Sequence, residues 1–229
     1  ILESGRGEAG RYDAVLIDEG QDFPPSWFQC AVQALKEPQD GTLVVAYDVS
    51  QNLYRAKLPN WSKVGIKAQG RTRRFTRNYR NTREIAAAAW SFGLRESAGD
   101  DDTPHAVALR QENCARSGPW PVMIREASLD GQINRCVGLA KDLLHGAEPV
   151  PAGDIMFLCP RKTVCERVEQ ALARHGVKAS VTTIHGARGL QAKAVVLVGA
   201  DTIQGDEARA MMYVALTRPT DRLYVLWSH

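Results

Sequence analysis

The sequence predicts an α/β protein built on a parallel β-sheet with helices on both faces. Short apolar runs, several ending at an acid, recur along the 229 residues and suit strands buried on both sides. Between them lie longer stretches with apolar residues at helical spacing, and strand–helix alternation of this kind builds a parallel sheet. The composition is 44% hydrophobic and 24% charged, enough for a buried core, and no run of eighteen apolar residues is present to cross a membrane.

Tyr12–Ile17 is the first expected strand, and Pro24, Pro25 and Ser26 then open a helix carrying Trp27, Phe28, Val32 and Leu35. Leu43–Tyr47 is the second strand. Asn81 and Glu84 have the N-x-x-E spacing of a capping box, which predicts a helix through the alanine-rich run to Phe92. Residues 96–119 are polar and glycine-bearing, with acids at Asp100–Asp102, and read as a loop. Beyond it come a strand at Val122–Arg125 and a helix marked by Leu129, Ile133, Val137, Ala140 and Leu144. Ile155–Cys159 is a strand, and Thr163–Glu166 caps a helix carrying Val164, Val168 and Leu172. Paired threonines and two glycines make Thr182–Gln191 a turn, before a strand at Val195–Val198, a helix at Glu207–Leu216 and a closing strand at Leu223–Trp227.

The net charge of +3 hides an asymmetry. Arg55–Arg83 holds ten Lys/Arg and no acid, whereas the rest of the chain carries 19 basic and 26 acidic residues. Such a segment suits an anionic partner, nucleic acid among them, and equally a solvated face or an acidic partner domain. A domain boundary fits near residues 70–77. The five cysteines form no C-x-x-C, which argues against a disulfide framework or zinc site and for the reducing cytoplasm. Cys159 and Cys165 read as small core residues.

The strand ends carry the chemistry. The first strand runs into Asp18-Glu19-Gly20-Gln21-Asp22; an acid after an apolar strand can hold Mg²⁺ and a second can polarise a water, although a solvated acidic turn has the same composition. The second strand runs into Asp48 and then Gln51, which can hydrogen-bond a γ-phosphate or simply cap a turn. Asn78-Tyr79-Arg80 sets an aromatic beside a fixed cation, suited to a purine and a transferring phosphoryl group, or to a surface ion pair. The 182–191 turn offers amides and hydroxyls to phosphate, with His185 as a hydrogen-bonding linchpin. Arg218 closes a helix, where a positive charge also favours the helix C-terminus.

In order along the chain, D-E-G-Q-D, D-x-x-Q-x-x-Y-R, N-Y-R, T-x-H-x-x-R-G-L and Y-V-A-L-T-R resemble superfamily 1 helicases of the UvrD/Rep type, from Tyr12 to the C-terminus. The resemblance implies a RecA-like, P-loop NTPase-type fold. Residues 1–72 would be the end of a first RecA-like domain and 73–229 a second. It further implies that Asp18 coordinates Mg²⁺, Glu19 activates water, Gln51 senses the γ-phosphate, Tyr79 stacks on adenine, and Arg80 and Arg218 are arginine fingers. By the same resemblance Gly189 and Gln191 adjoin the nucleotide, Thr183 and His185 couple it to single-stranded DNA, and Tyr54 and Arg55 approach DNA bases.

The departures bear on function. Ala56 stands where relatives often have a base-stacking tryptophan, Tyr47 where they have glycine, and Gln191 where they have a ribose-binding glutamate. No G-x-x-x-x-G-K-[ST] occurs, nor any Gly-Lys pair, so the loop that grips ATP phosphates is expected upstream of Ile1. The chain therefore reads as a C-terminal fragment whose partner is the rest of the same polypeptide, inactive alone. Asp154–Ser180 runs directly into Thr182, without the helical subdomain larger relatives insert there. The function expected is ATP-driven 3′ to 5′ movement on single-stranded or partly duplex DNA. The alternatives are a non-catalytic nucleic-acid-binding or regulatory module that keeps the fold, and a nucleotide hydrolase with no DNA partner.

Overall fold

The computed structural model describes residues 9–47, 59–73, 75–93, 111–205 and 207–228. Gln51, Tyr54 and Arg55 lie outside the described residues, as do Asp48, Ala56 and 96–110 of the expected loop. Two compact units divide the chain, Ile1–Arg74 and Phe75–His229.

The first unit carries β1 (Ala14–Ile17), α1 (Pro25–Ala34) and β2 (Thr42–Val45), with the strands parallel and Leu16 opposite Val44. Strand alternation sends Val15, Ile17, Leu43 and Val45 to one face, where they meet Phe28 and Val64. Phe28 is fully buried and packs edge-on against Trp61, with ring centroids 5.4 Å apart. Pro25 opens α1 because a proline at the first helical positions gives up an amide that has no intrahelical partner there. The opposite face of the pair stays open: Leu16 is 75% exposed and Val44 49%.

The second unit is α/β, built on a parallel sheet. Its elements are β3 (Asn78–Thr82), α2 (Arg83–Gly93), β4 (Cys114–Arg116), β5 (Val122–Arg125), α3 (Leu129–His145), β6 (Ile155–Cys159), α4 (Lys162–Arg174), β7 (Ser180–Thr183), β8 (Ala192–Leu197), α5 (Ala208–Thr217) and β9 (Pro219–Trp227). Five strands pair in the order β5-β9-β8-β6-β7, every pair parallel. Ile155, Phe157, Cys159, Ala194, Val196 and Leu226 pack under α3 and α4. Met156, Leu158, Val195, Leu197, Leu223 and Val225 are buried on the other face, the side of β9 against which α2 and α5 lie. Each fully buried aliphatic side chain contributes about 1.5–3 kcal/mol, so this two-faced core supplies most of the unit's stability. At the carboxyl edge of the sheet the buried Gln132 side chain accepts from Gly199 N at 2.7 Å and donates to Ser228 Oγ at 2.7 Å.

Several local expectations are corrected. Asn81 does not cap α2: it sits in β3, and Thr82 Oγ1 accepts from Ile85 N instead. Glu84 accepts from Gly118 N rather than reaching back along its own helix. Thr163–Glu166 does not cap α4 either, since Arg161 holds the N-cap position without a side-chain bond. Residues 114–116 of the expected loop form β4, parallel to β3. Thr182 and Thr183 belong to edge strand β7, and the turn begins after them. The last strand starts at Pro219, four residues before the apolar run, because Ala192–Pro219 pairing extends it. A proline is tolerated as the first residue of a strand.

Candidate functional site

In the first unit, Asp18 and Glu19 follow the carboxyl end of β1. Glu19 takes a left-handed backbone conformation, φ 53°, the one non-glycine with positive φ among the described residues. That conformation costs of order 1–3 kcal/mol and tends to cluster at functional sites. Here Asp18 Oδ1 accepts from Glu19 N at 2.9 Å, and Gln21, whose side chain is buried, donates from Nε2 to Glu19 Oε2. Gly20 donates to Ala46 O at 2.9 Å, and a Cβ on it would sit 2.7 Å from Val45 Cγ1, so only glycine lets this turn lie against β2. The result is an exposed Asp18 beside a half-buried Glu19 whose carboxylate is oriented by Gln21. A groove of about 380 Å³ in this unit lies elsewhere, against Gly41, Thr42, Leu43, Lys67, Arg71 and Arg73, and includes neither acid.

In the second unit the predicted residues gather at the amino ends of β8 and β9. Tyr79 on β3 is 67% exposed, with the Arg77 guanidinium 5.3 Å from its ring centroid. Arg80 follows it and is exposed; its N–H donates to Asn78 Oδ1 at 3.0 Å and its carbonyl accepts from Arg116 Nη2 at 2.6 Å. Arg218, between α5 and β9, is only 1% exposed. Its guanidinium donates to Val214 O at 3.0 Å, Leu190 O at 3.3 Å and Thr217 Oγ1 at 3.2 Å.

The segment from β7 to β8 runs beside α5 and is tied to it at both ends. At one end His185 Nε2 lies 3.8 Å from Glu207 Oε2. At the other, Leu190 O meets Arg218 and Ala192 N donates to Arg218 O at 3.3 Å. Thr183 Oγ1 accepts from Gly186 N at 3.1 Å, and a Cβ on Gly186 would fall 2.6 Å from Thr182 Oγ1. Gly189 has φ +70° and Gln191 is exposed at the entry to β8. The structure thus brings Tyr79, Arg80, Gly189, Gln191 and Arg218 onto neighbouring elements, with Thr183 and His185 at the far end of the same segment. Sequence reasoning missed Asn81, Arg116 and Glu207; a second asparagine directly after N-Y-R was the one available signal.

Residues 178–226 match the family described as UvrD-like helicase C-terminal domain. The resemblance to UvrD-type helicases read from the motifs is therefore supported independently over β7, β8, α5 and β9. Among solved structures, the C-terminal domain of a "possible DNA helicase" from Lactobacillus plantarum WCFS1 is similar at 15% identity. That likeness covers 66% of this chain and 88% of the other with a TM-score of 0.49. No curated protein matches the chain. The UvrD-like match spans the 184–191 segment and Arg218; Asp18, Glu19, Tyr79 and Arg80 fall outside it. Among the described residues no three His, Cys, Asp or Glu side chains cluster as a metal site, and no helix is long and apolar enough to cross a membrane.

Proposed function

We propose that this chain is part of an ATP-dependent DNA helicase or translocase that moves 3′ to 5′ on single-stranded DNA. The unit Ile1–Arg74 would belong to a first RecA-like domain, and Phe75–His229 to a second. The observation that best supports this reading is the convergence of the N-Y-R strand, the 184–191 segment and Arg218 at one edge of the five-stranded sheet, within and beside the UvrD-like match.

In this reading Asp18 holds Mg²⁺. Its exposed carboxylate is a hard oxygen donor, and Mg²⁺ takes one or two carboxylates while keeping several waters. Bound Mg²⁺ neutralises phosphate charge. Glu19, oriented by Gln21, accepts the proton of the attacking water. Tyr79 offers its face to the adenine, and Gly189 and Gln191 adjoin the nucleotide. Arg80 and Arg218 donate to the charge that develops on the phosphoryl oxygens. To do so Arg218 must leave Val214 O and Leu190 O, which links its position to the segment that carries Thr183 and His185. Gln51 would sense the γ-phosphate, while Tyr54 and Arg55 would contact DNA.

Because the chain holds no Gly-Lys pair, the 229 residues by themselves hydrolyse no ATP in this account. The exposed face of the β1–β2 pair suits cover by a further part of the same polypeptide, since among the described residues two strands alone are marginal. The protein would work in the cytoplasm, consistent with five cysteines that form no disulfide. One observation favours the alternative of a non-catalytic module: Arg218 is buried and bonded within its own unit. ATP hydrolysis by the full-length protein, measured with and without single-stranded DNA, separates the two. The helicase reading expects DNA-stimulated hydrolysis that Glu19→Gln abolishes; no hydrolysis, or hydrolysis indifferent to Glu19, refutes it.

A further inference from the structure

We infer that Asn81 is a positioning residue that fixes Arg80 and Arg218 as a pair, an inference that rests on the reading above. Asn81 follows Arg80 directly in β3 and is only 3% exposed. Nδ2 donates to Thr217 O at 3.0 Å and to Pro219 O at 2.7 Å, the carbonyls on either side of Arg218. The carbonyl between them, that of Arg218, accepts from Ala192 N. Three successive carbonyls are therefore held, and the backbone from which Arg218 projects cannot shift without breaking a buried bond.

The other end of the clamp is held as firmly. Asn78 Oδ1 accepts from both Arg80 N and Asn81 N at 3.0 Å, and Asn78 Nδ2 donates to Asn81 Oδ1 at 3.2 Å. Arg116 adds a second tie, its Nη2 donating to Arg80 O at 2.6 Å and Thr220 O at 2.7 Å. Every polar atom of the Asn81 side chain is thus used, as a buried carboxamide requires. Asparagine suits this place because two donors must reach two carbonyls; an isosteric aspartate would face both with a carboxylate. In the proposed mechanism both cations must meet one phosphoryl group once Arg218 leaves its internal partners, which needs backbones held at a fixed separation, and an error of about 1 Å can cost about a hundredfold in rate.

The test is DNA-stimulated ATP hydrolysis by the full-length protein. Asn81→Asp is expected to lower kcat about a hundredfold with little change in the KM for ATP, and Arg116→Ala about tenfold. If Asn81 acts through the arginines, Asn81→Asp adds little further loss in an Arg80→Ala background. Wild-type kcat in both single variants overturns the inference, as does full additivity with Arg80→Ala. If Asn81→Asp does not fold, Arg116→Ala decides alone, because its side chain lies on the exposed strand β4. A wild-type protein without ATPase activity removes the functional reading before any variant is measured, and the inference with it.

Discussion

The two units build their strands from the same kind of sequence and reach different degrees of completion. In the second, Ile155–Cys159 is buried at every position between helices on both faces. In the first, Ala14–Ile17 and Thr42–Val45 are as apolar in sequence, yet every other residue faces outward and Leu16 and Val44 are exposed. Continuous apolar runs belong to strands covered on both sides. Among the described residues the first unit thus leaves one apolar strand face largely uncovered. The sites differ in parallel: an exposed aspartate and a half-buried glutamate at a carboxyl end in one, a buried arginine at an amino end in the other.

The largest contrast is catalytic. Glu19→Gln should lower hydrolysis by the full-length protein by about 10²–10⁴-fold, the usual worth of a positioned base, while urea unfolding of the second unit stays unchanged. Unaltered hydrolysis would remove the first unit's acids from the mechanism.

Stability sharpens the comparison next. Phe157→Ala, in the two-faced core, should cost about 3–5 kcal/mol in urea denaturation. Leu16→Ala in the same 229 residues should cost no more than about 0.5 kcal/mol, as surface changes do. A large cost at Leu16 only in the full-length protein would identify that face as covered there.

Thiol chemistry divides the units as well. Cys30 in the first unit is exposed, whereas the four cysteines of the second are buried. Burial pushes the Cys136 thiol up to about 12 and Cys159 further still, so neither ionises near neutrality. A thiol titration of the native chain at pH 7 should show one fast equivalent, with four more only after denaturation. Two or more fast equivalents would mean that the second unit opens.

How much of this was legible in the sequence follows from the range of the contacts involved. Strand β6 and helix α3 were read closely because periodicity and apolarity are local signals. β4 and β7 were not, since their polar residues become strands only by pairing with Asn78–Thr82 and Met156–Cys159. Asn81 looked like a cap because N-x-x-E is a local pattern, while its true partners lie 136 and 138 residues away. The motifs led to Arg218 but gave no sign that its guanidinium would be buried.

The smallest effect expected is electrostatic. Lys36 Nζ bonds both Asp13 carboxylate oxygens, at 2.8 and 3.0 Å, and holds that carboxyl below its ordinary 3.8. A lowered value means the contribution is present above pH 3.8 and fades as pH falls below it. Both groups are exposed, so Asp13→Asn should change the acid limb of an unfolding curve only slightly.

Movement is measured most directly by following the full-length protein along single-stranded DNA of several lengths labelled at one end. ATP-dependent arrival at the 5′ end is expected after a lag that grows with length, and is lost in Glu19→Gln. Arrival at the 3′ end alone, or none that depends on ATP, would contradict the proposed function.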